Sequence, residues 1–166
     1  MRHRPHLQTF LSLAAIALVG AALSCGGGGG GTPPTPTPAP SATFPPGTVS
    51  FRSQVYPIMQ ANCTTAGCHV PASQGGIAPV DYSGGAAATY ALLVNKPASG
   101  YANALRVKPN DSGNSVLYAK ISSDNPTLAS GQSVKGDGRM PLNAAPLSAA
   151  DIATIKTWID QGVPNS

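Results

Sequence analysis

"MQANCTTAGCHV", residues 59–70, is the stretch from which the fold has to be read. The chain holds only three cysteines. Two of them, Cys63 and Cys68, stand here five positions apart, with His69 directly behind the second. A disulfide needs no histidine, and a structural zinc site takes four donors where three are on offer. Two thiols followed at once by an imidazole are the order in which a chain holds a haem covalently. Each thiol adds to one porphyrin vinyl group, and the histidine reaches the iron from one face. The common spacing for this is C-x-x-C-H. Here Thr64, Thr65, Ala66 and Gly67 separate the thiols, so two extra residues must loop out. All four are small, and Gly67 has backbone angles open to it that other residues lack. On these residues alone, a Cys63–Cys68 disulfide in an oxidising compartment stays open as the alternative.

The rest of the chain bears on that choice. "MRHRPHLQ" is basic, and "TFLSLAAIALVGAALS" after it is apolar and uncharged. The apolar run is short of the roughly 20 residues a membrane helix needs and fits the h-region of an export signal. It ends "ALSC", similar to a bacterial lipobox, although Ala22 stands where leucine is commonest. The expectation is a signal over residues 1–24, lipidation of Cys25, and a membrane-anchored lipoprotein on the periplasmic or outer-membrane side. Ordinary secretory cleavage nearby, leaving Cys25 free, is the plainer alternative. Lipidation also resolves the odd cysteine count, because Cys63 and Cys68 are then left as a pair.

Residues 25–47 read as a tether. The six glycines after Cys25 are flexible, and "TPPTPTPAPSATFPPG" favours an extended polyproline shape. At about 3 Å per residue it would hold a domain up to ~50 Å from the membrane. The globular part is then residues 48–166. Of the ten Lys and Arg, Arg2 and Arg4 belong to the signal. The domain therefore carries eight against six Asp and no Glu. These charges are scattered with no basic stripe, which argues against a nucleic-acid partner.

Apolar spacing in the domain predicts helices and no sheet. "SFRSQVYPIMQAN" reads as the first, with Val55, Ile58 and Met59 on one side and Pro57 in its first turns or kinking it. "GGAAATYALLVN" places Tyr90, Leu93 and Val94 inward, and "DSGNSVLYAKIS" places Val116, Leu117 and Ile121 inward. "LSAADIATIKTWIDQGV" is the strongest, with Ser148 as N-cap, Asp151 at the capping-box position, Gly162 as terminator, and Ile152, Ile155, Trp158 and Ile159 as its stripe. The fold class is all-α: three to five short helices with long loops. Such helices are expected to pack poorly unless a large apolar group, here one covalent haem c, completes the core.

A distal iron ligand follows by elimination. His3 and His6 leave with the signal, so His69 is the proximal ligand and no second histidine remains. Met59 lies among apolar neighbours and reads as core. Met140, in "GDGRMPL", sits on a loop stiffened by Pro141 and is expected to ligate from the far face. His/Met ligation raises the reduction potential over two histidines. If Met140 only fills a gap, the iron is five-coordinate and a haem sensor or peroxidase is the alternative. Tyr82, Tyr90 and Tyr118 read as pocket or core packing, and Arg106 and Lys108 as exposed bases or propionate partners.

Four segments in order, "VYPIMQANCTTAGCH", "GGIAPVDYS", "VKPNDSGNSVLYAKI" and "GRMPLNAAPLSAADIATIKTWIDQGV", resemble the planctomycete-type cytochrome c domains. These are similar to class I cytochromes c, and the likeness spans almost all of residues 50–164. The resemblance implies Cys63 and Cys68 as attachment sites, His69 as proximal ligand and Met140 as distal ligand. It also implies that Trp158 packs the last helix against the first. Two departures stand out: the wider cysteine spacing, and "KPND" where "PGDP" is usual. With no Ser/His/Asp set and no carboxylate pair in the chain, an electron carrier with redox protein partners is expected rather than a catalyst. The rival of another class is a haem-free surface lipoprotein, a helical binding module stapled by Cys63–Cys68.

Overall fold

The computed structural model describes residues 45–65, 68–71 and 80–166. The expected signal, the lipidation site Cys25 and the tether up to residue 44 lie outside the described residues, as do Ala66, Gly67 and residues 72–79.

The all-α expectation holds. Four α-helices are present among the described residues: α1 (Tyr56–Cys63), α2 (Ala86–Leu93), α3 (Val116–Ser122) and α4 (Ala149–Asp160). Extended pairing there is limited to isolated bridges, such as Val94 with Val107 and Leu105 with Ser115.

The first helical segment differs from its expected form. Phe51–Val55 is a π-turn, and the regular helix begins only at Tyr56, with Pro57 in its first turn. Proline has no N–H for the residue four back, and its ring collides with that carbonyl. The wider turn absorbs the conflict: the Gln54 and Val55 amides both donate to Ser50 O, and Tyr56 N donates to Phe51 O. The extra residue per turn rotates Phe51, Val55, Tyr56 and Met59 onto the buried side and leaves Ile58 half-buried.

α3 is also shorter than its sequence pattern. A 3₁₀ turn, Ser112–Asn114, precedes it because the Asp111 side chain accepts from Asn114 N and stops the helix from starting there. Val116, Ala119 and Ile121 are its buried residues, while Leu117 is half-buried. In α2, Thr89 and Leu93 are buried, and Tyr90 and Val94 are partly so.

α4 forms as its caps dictate. Ser148 Oγ accepts from Asp151 N at 3.0 Å and donates to Asp151 Oδ2 at 2.8 Å. The Asp side chain thus closes on the hydroxyl rather than on the Ser148 amide. Beyond the helix, Gly162 takes φ +82°, and a Cβ there would press on Asn110 Oδ1 at 3.1 Å. Only glycine meets both conditions. Replacing Ser148 with Ala should cost about 1 kcal/mol in urea unfolding; a loss below a few tenths would show that the cap contributes nothing.

Trp158 is fully buried. Its ring centroid lies 5.0 Å from that of Phe51 and 6.2 Å from that of Tyr90, so α4 packs on the first helical segment. Both chain ends of the domain are tied here. Trp158 Nε1 and Phe51 N both donate to Pro164 O, and the Gln161 amide bridges Val49 N and Gly47 O. Ser50 Oγ donates to Ser166 O.

The expectation of poor packing without an added group needs correcting. Phe51, Val55, Met59, Leu93, Val107, Ile155, Trp158 and Ile159 form one buried cluster. Loop residues Tyr82, Leu147 and Val163 complete it. A smaller cluster, with Ala98, Leu128 and Val134, lies between the loops and α3. The long loops carry core residues themselves, and so the short helices need not enclose the interior alone.

Candidate functional site

Cys63 is the last residue of α1. Thr64 ends the helix, and its hydroxyl donates back to Gln60 O at 2.8 Å. The chain then reverses: Cys68 N donates to Thr65 O at 3.1 Å and His69 N to Cys63 O at 3.0 Å. This small ring brings both cysteines and the histidine to the C-terminal end of one helix. The two sulfurs are not bonded to each other. Burial, and then the neighbouring Cys68 thiol, push the Cys63 thiol up to about 11. A thiol so placed is protonated near pH 7.

His69 is held by the segment that follows. Its Nδ1 is 2.8 Å from Val80 O. A carbonyl can only accept, so Nδ1 carries the proton and Nε2 keeps its lone pair. Burial pulls the imidazole below its ordinary pKa, against the Val80 contact that favours protonation, so the ring is neutral near pH 7. Tyr82 N donates to His69 O at 2.8 Å, and the Tyr82 ring stacks on the imidazole at 4.6 Å and 22°. Tyr82 is in turn fixed by α2, where buried Thr89 Oγ1 donates to Tyr82 O at 2.9 Å. Burial pushes the Tyr82 phenol up to about 12, with the Arg106 cation opposing and Cys63 adding to the rise.

Met59 is 1% exposed and belongs to the core, as its neighbours in sequence imply. Met140 is half-buried and packs against the same cluster as Cys63, Val80 and Tyr82. Its amide donates to Lys120 O at 2.8 Å, and the Met140–Pro141 bond is cis. Cys63 and Met140, far apart in sequence, thus pack against one apolar cluster, and His69 stacks on a member of it, Tyr82. Among the described residues no three His, Cys or Asp side chains converge as ligands of a single metal ion.

Arg106 and Lys108 have partners within the chain. Arg106 Nη1 donates to Leu92 O at 2.6 Å, and Lys108 pairs with Asp111 at 2.8 Å. Tyr90 Oη donates to Val163 O at 2.9 Å and serves the core. Sequence reasoning missed the roles of Val80, Thr89 and Lys120. For Val80 and Lys120 no local signal exists, since Val80 acts through its carbonyl, and Lys120 through its carbonyl and ammonium, on residues distant in sequence. For Thr89, a lone hydroxyl on an otherwise apolar helix face was a usable hint.

No family model, curated protein or solved structure matches this chain.

Proposed function

We propose that this domain is a mono-haem cytochrome of the c type, with a cytochrome c-like fold, passing single electrons at the periplasmic or outer face of a bacterial membrane to which lipidated Cys25 tethers it. The observation that carries the proposal is the state of His69. Its Nδ1–H is committed to Val80 O, which places the lone pair on Nε2, and the same loop presents two thiols not joined to each other. A histidine oriented through its second nitrogen is how proteins prepare an imidazole to bind a metal.

The donor set fits a covalently attached porphyrin. The thiols of Cys63 and Cys68 would hold it covalently, each as a thioether to one vinyl group with the thiol hydrogen going to the other vinyl carbon and no net electron change. His69 would be the proximal ligand and Met140 the distal one. Beside Met140, Arg139 Nε is buried without a hydrogen-bond partner among the described residues, while its Nη1 pairs with Asp124 at 2.7 Å. A buried donor left unmet is costly, and a porphyrin carboxylate would satisfy it.

The haem, when bound, supplies reversible one-electron exchange at its iron. The chain does the rest. Val80 fixes the imidazole tautomer, Tyr82 limits rotation of the ring, and the apolar cluster around Met59 and Leu93 keeps water from the interior. The fourfold motif resemblance to planctomycete-type cytochrome c domains supports the same conclusion.

The test is the intact mass of chain matured in a host with a haem-attachment system, together with its reduced-minus-oxidised spectrum. The expected mass is that of the processed chain plus one haem, with a c-type absorption band on reduction. A mass lower only by the two thiol hydrogens would instead identify the stapled, haem-free lipoprotein.

A further inference from the structure

We propose that Lys120 is the positioning residue for Met140: one side chain and its own carbonyl clasp the 135–140 loop to α3 in the conformation that presents the thioether. The proposal rests on Met140 being an axial ligand.

Lys120 lies in the last turn of α3. Its ammonium donates to Lys135 O at 2.7 Å and to Gly138 O at 2.8 Å. Its carbonyl accepts from Met140 N at 2.8 Å. A single residue therefore grips the loop at its start, its middle and its end. Charge-assisted hydrogen bonds of this length are the stronger kind. The loop has also closed on itself, with Gly138 N donating to Lys135 O at 2.6 Å.

The residue between these contacts is shaped to the clasp. Gly136 has φ +44°; a Cβ there would collide with Tyr101 Oη and come within 3.6 Å of Lys120 Nζ. Side-chain-free backbone is what lets the loop approach the ammonium so closely. Asp137, at the tip, is within electrostatic reach of both Lys120 and Tyr101. Arg139, pairing with Asp124 just beyond α3, adds a second tie on the same side.

A thioether is a neutral, soft and weak ligand. Its hold on iron depends on how often the loop presents it, since apparent affinity scales with the fraction of the competent conformation. A glycine-rich loop and the end of a short helix are here joined by the ammonium and carbonyl of one residue. Lys120 acts on the loop's backbone atoms and touches no reacting group.

The experiment uses the full, haem-loaded chain and its variants Lys120→Met and Gly136→Ala. The methionine keeps the aliphatic stem and helix preference but deletes the ammonium. The alanine disturbs the same clasp from the loop side and serves should the first variant not fold. Imidazole is the probe that competes for the Met140 position. With covalent haem mass unchanged, either variant should bind imidazole at least ~10-fold more tightly and exchange the amide protons of residues 135–140 at least ~10-fold faster. In a Met140→Ala background, Lys120→Met should add nothing to imidazole affinity, because the two act in series. A wild-type chain without haem, or without an iron–sulfur charge-transfer band, overturns the ligand assignment and this proposal with it. A wild type that has the band, with variants of unchanged imidazole affinity or unchanged loop exchange, overturns the clasp alone.

Discussion

Truncating Trp158 to Ala should cost about 3–5 kcal/mol of unfolding free energy, a large share of what a domain this size possesses. The indole is 0% exposed and packs against both Phe51 and Tyr90, so its removal leaves a void bounded by two aromatic rings. The neighbours cannot close it. Phe51 is held by its amide bond to Pro164 O, and Tyr90 by its hydroxyl bond to Val163 O. The variant Trp158→Phe separates packing from hydrogen bonding. It keeps most of the ring contact and loses a small part of the buried volume together with the Nε1 bond to Pro164 O, which still accepts from Phe51 N. About 1–2 kcal/mol is expected for that change. Urea unfolding of the mature chain measures both. An alanine cost below 1 kcal/mol would mean that α4 is not anchored by this residue.

Replacing Met140 with Ala should abolish the iron–sulfur charge-transfer band and lower the reduction potential by ~0.2 V, a fraction of the ~0.8 V over which axial ligands tune haem proteins. The sign follows from softness: a thioether favours reduced iron, whereas water or hydroxide in its place favours oxidised iron. Covalent haem should be retained, because Cys63, Cys68 and His69 are untouched. The substitution also decides between an electron carrier and a five-coordinate sensor or peroxidase. In the latter case the spectrum and potential of Met140→Ala would match those of the parent chain, and Met140 would be a gap-filling residue. Stability distinguishes the two losses: Met140 is half-buried at the rim of the main cluster, so its truncation should unfold the domain less readily than Trp158→Ala.

These two residues show how unevenly sequence and structure share the information. Trp158 was legible at once. It stands in phase with Ile152, Ile155 and Ile159 on a helix whose start and stop are both signalled, and the three-dimensional arrangement buries it as that phase requires. Met140 was reached only by counting the ligands left after His69. Its neighbourhood in space, the carbonyl of Lys120 and the cluster shared with Cys63, could not be read from "GDGRMPL". Pro57 gives the opposite lesson. The sequence announces a conflict there, and two resolutions were compatible with it: a helix start or a kink. The fold takes the first, with Pro57 in the first turn of α1, and widens the turn before it, because Phe51 and Val55 must both face inward against α4.

The amino-acid sequence by itself determined the helical class, the position and caps of α4, the membership of Met59 and Trp158 in the core, and the cluster of two thiols and an imidazole at one end of α1. All of these depend on residues a few positions apart, where helical periodicity, capping and ligand spacing act directly. Only the tertiary structure decided which nitrogen of His69 carries the lone pair, that Tyr82 stacks on it, that Thr89 holds Tyr82, and that Lys120 grips the loop bearing Met140. Each of those contacts joins segments distant along the chain, mostly through backbone carbonyls. Every residue type carries that same acceptor, so no side-chain pattern can mark which one will be used.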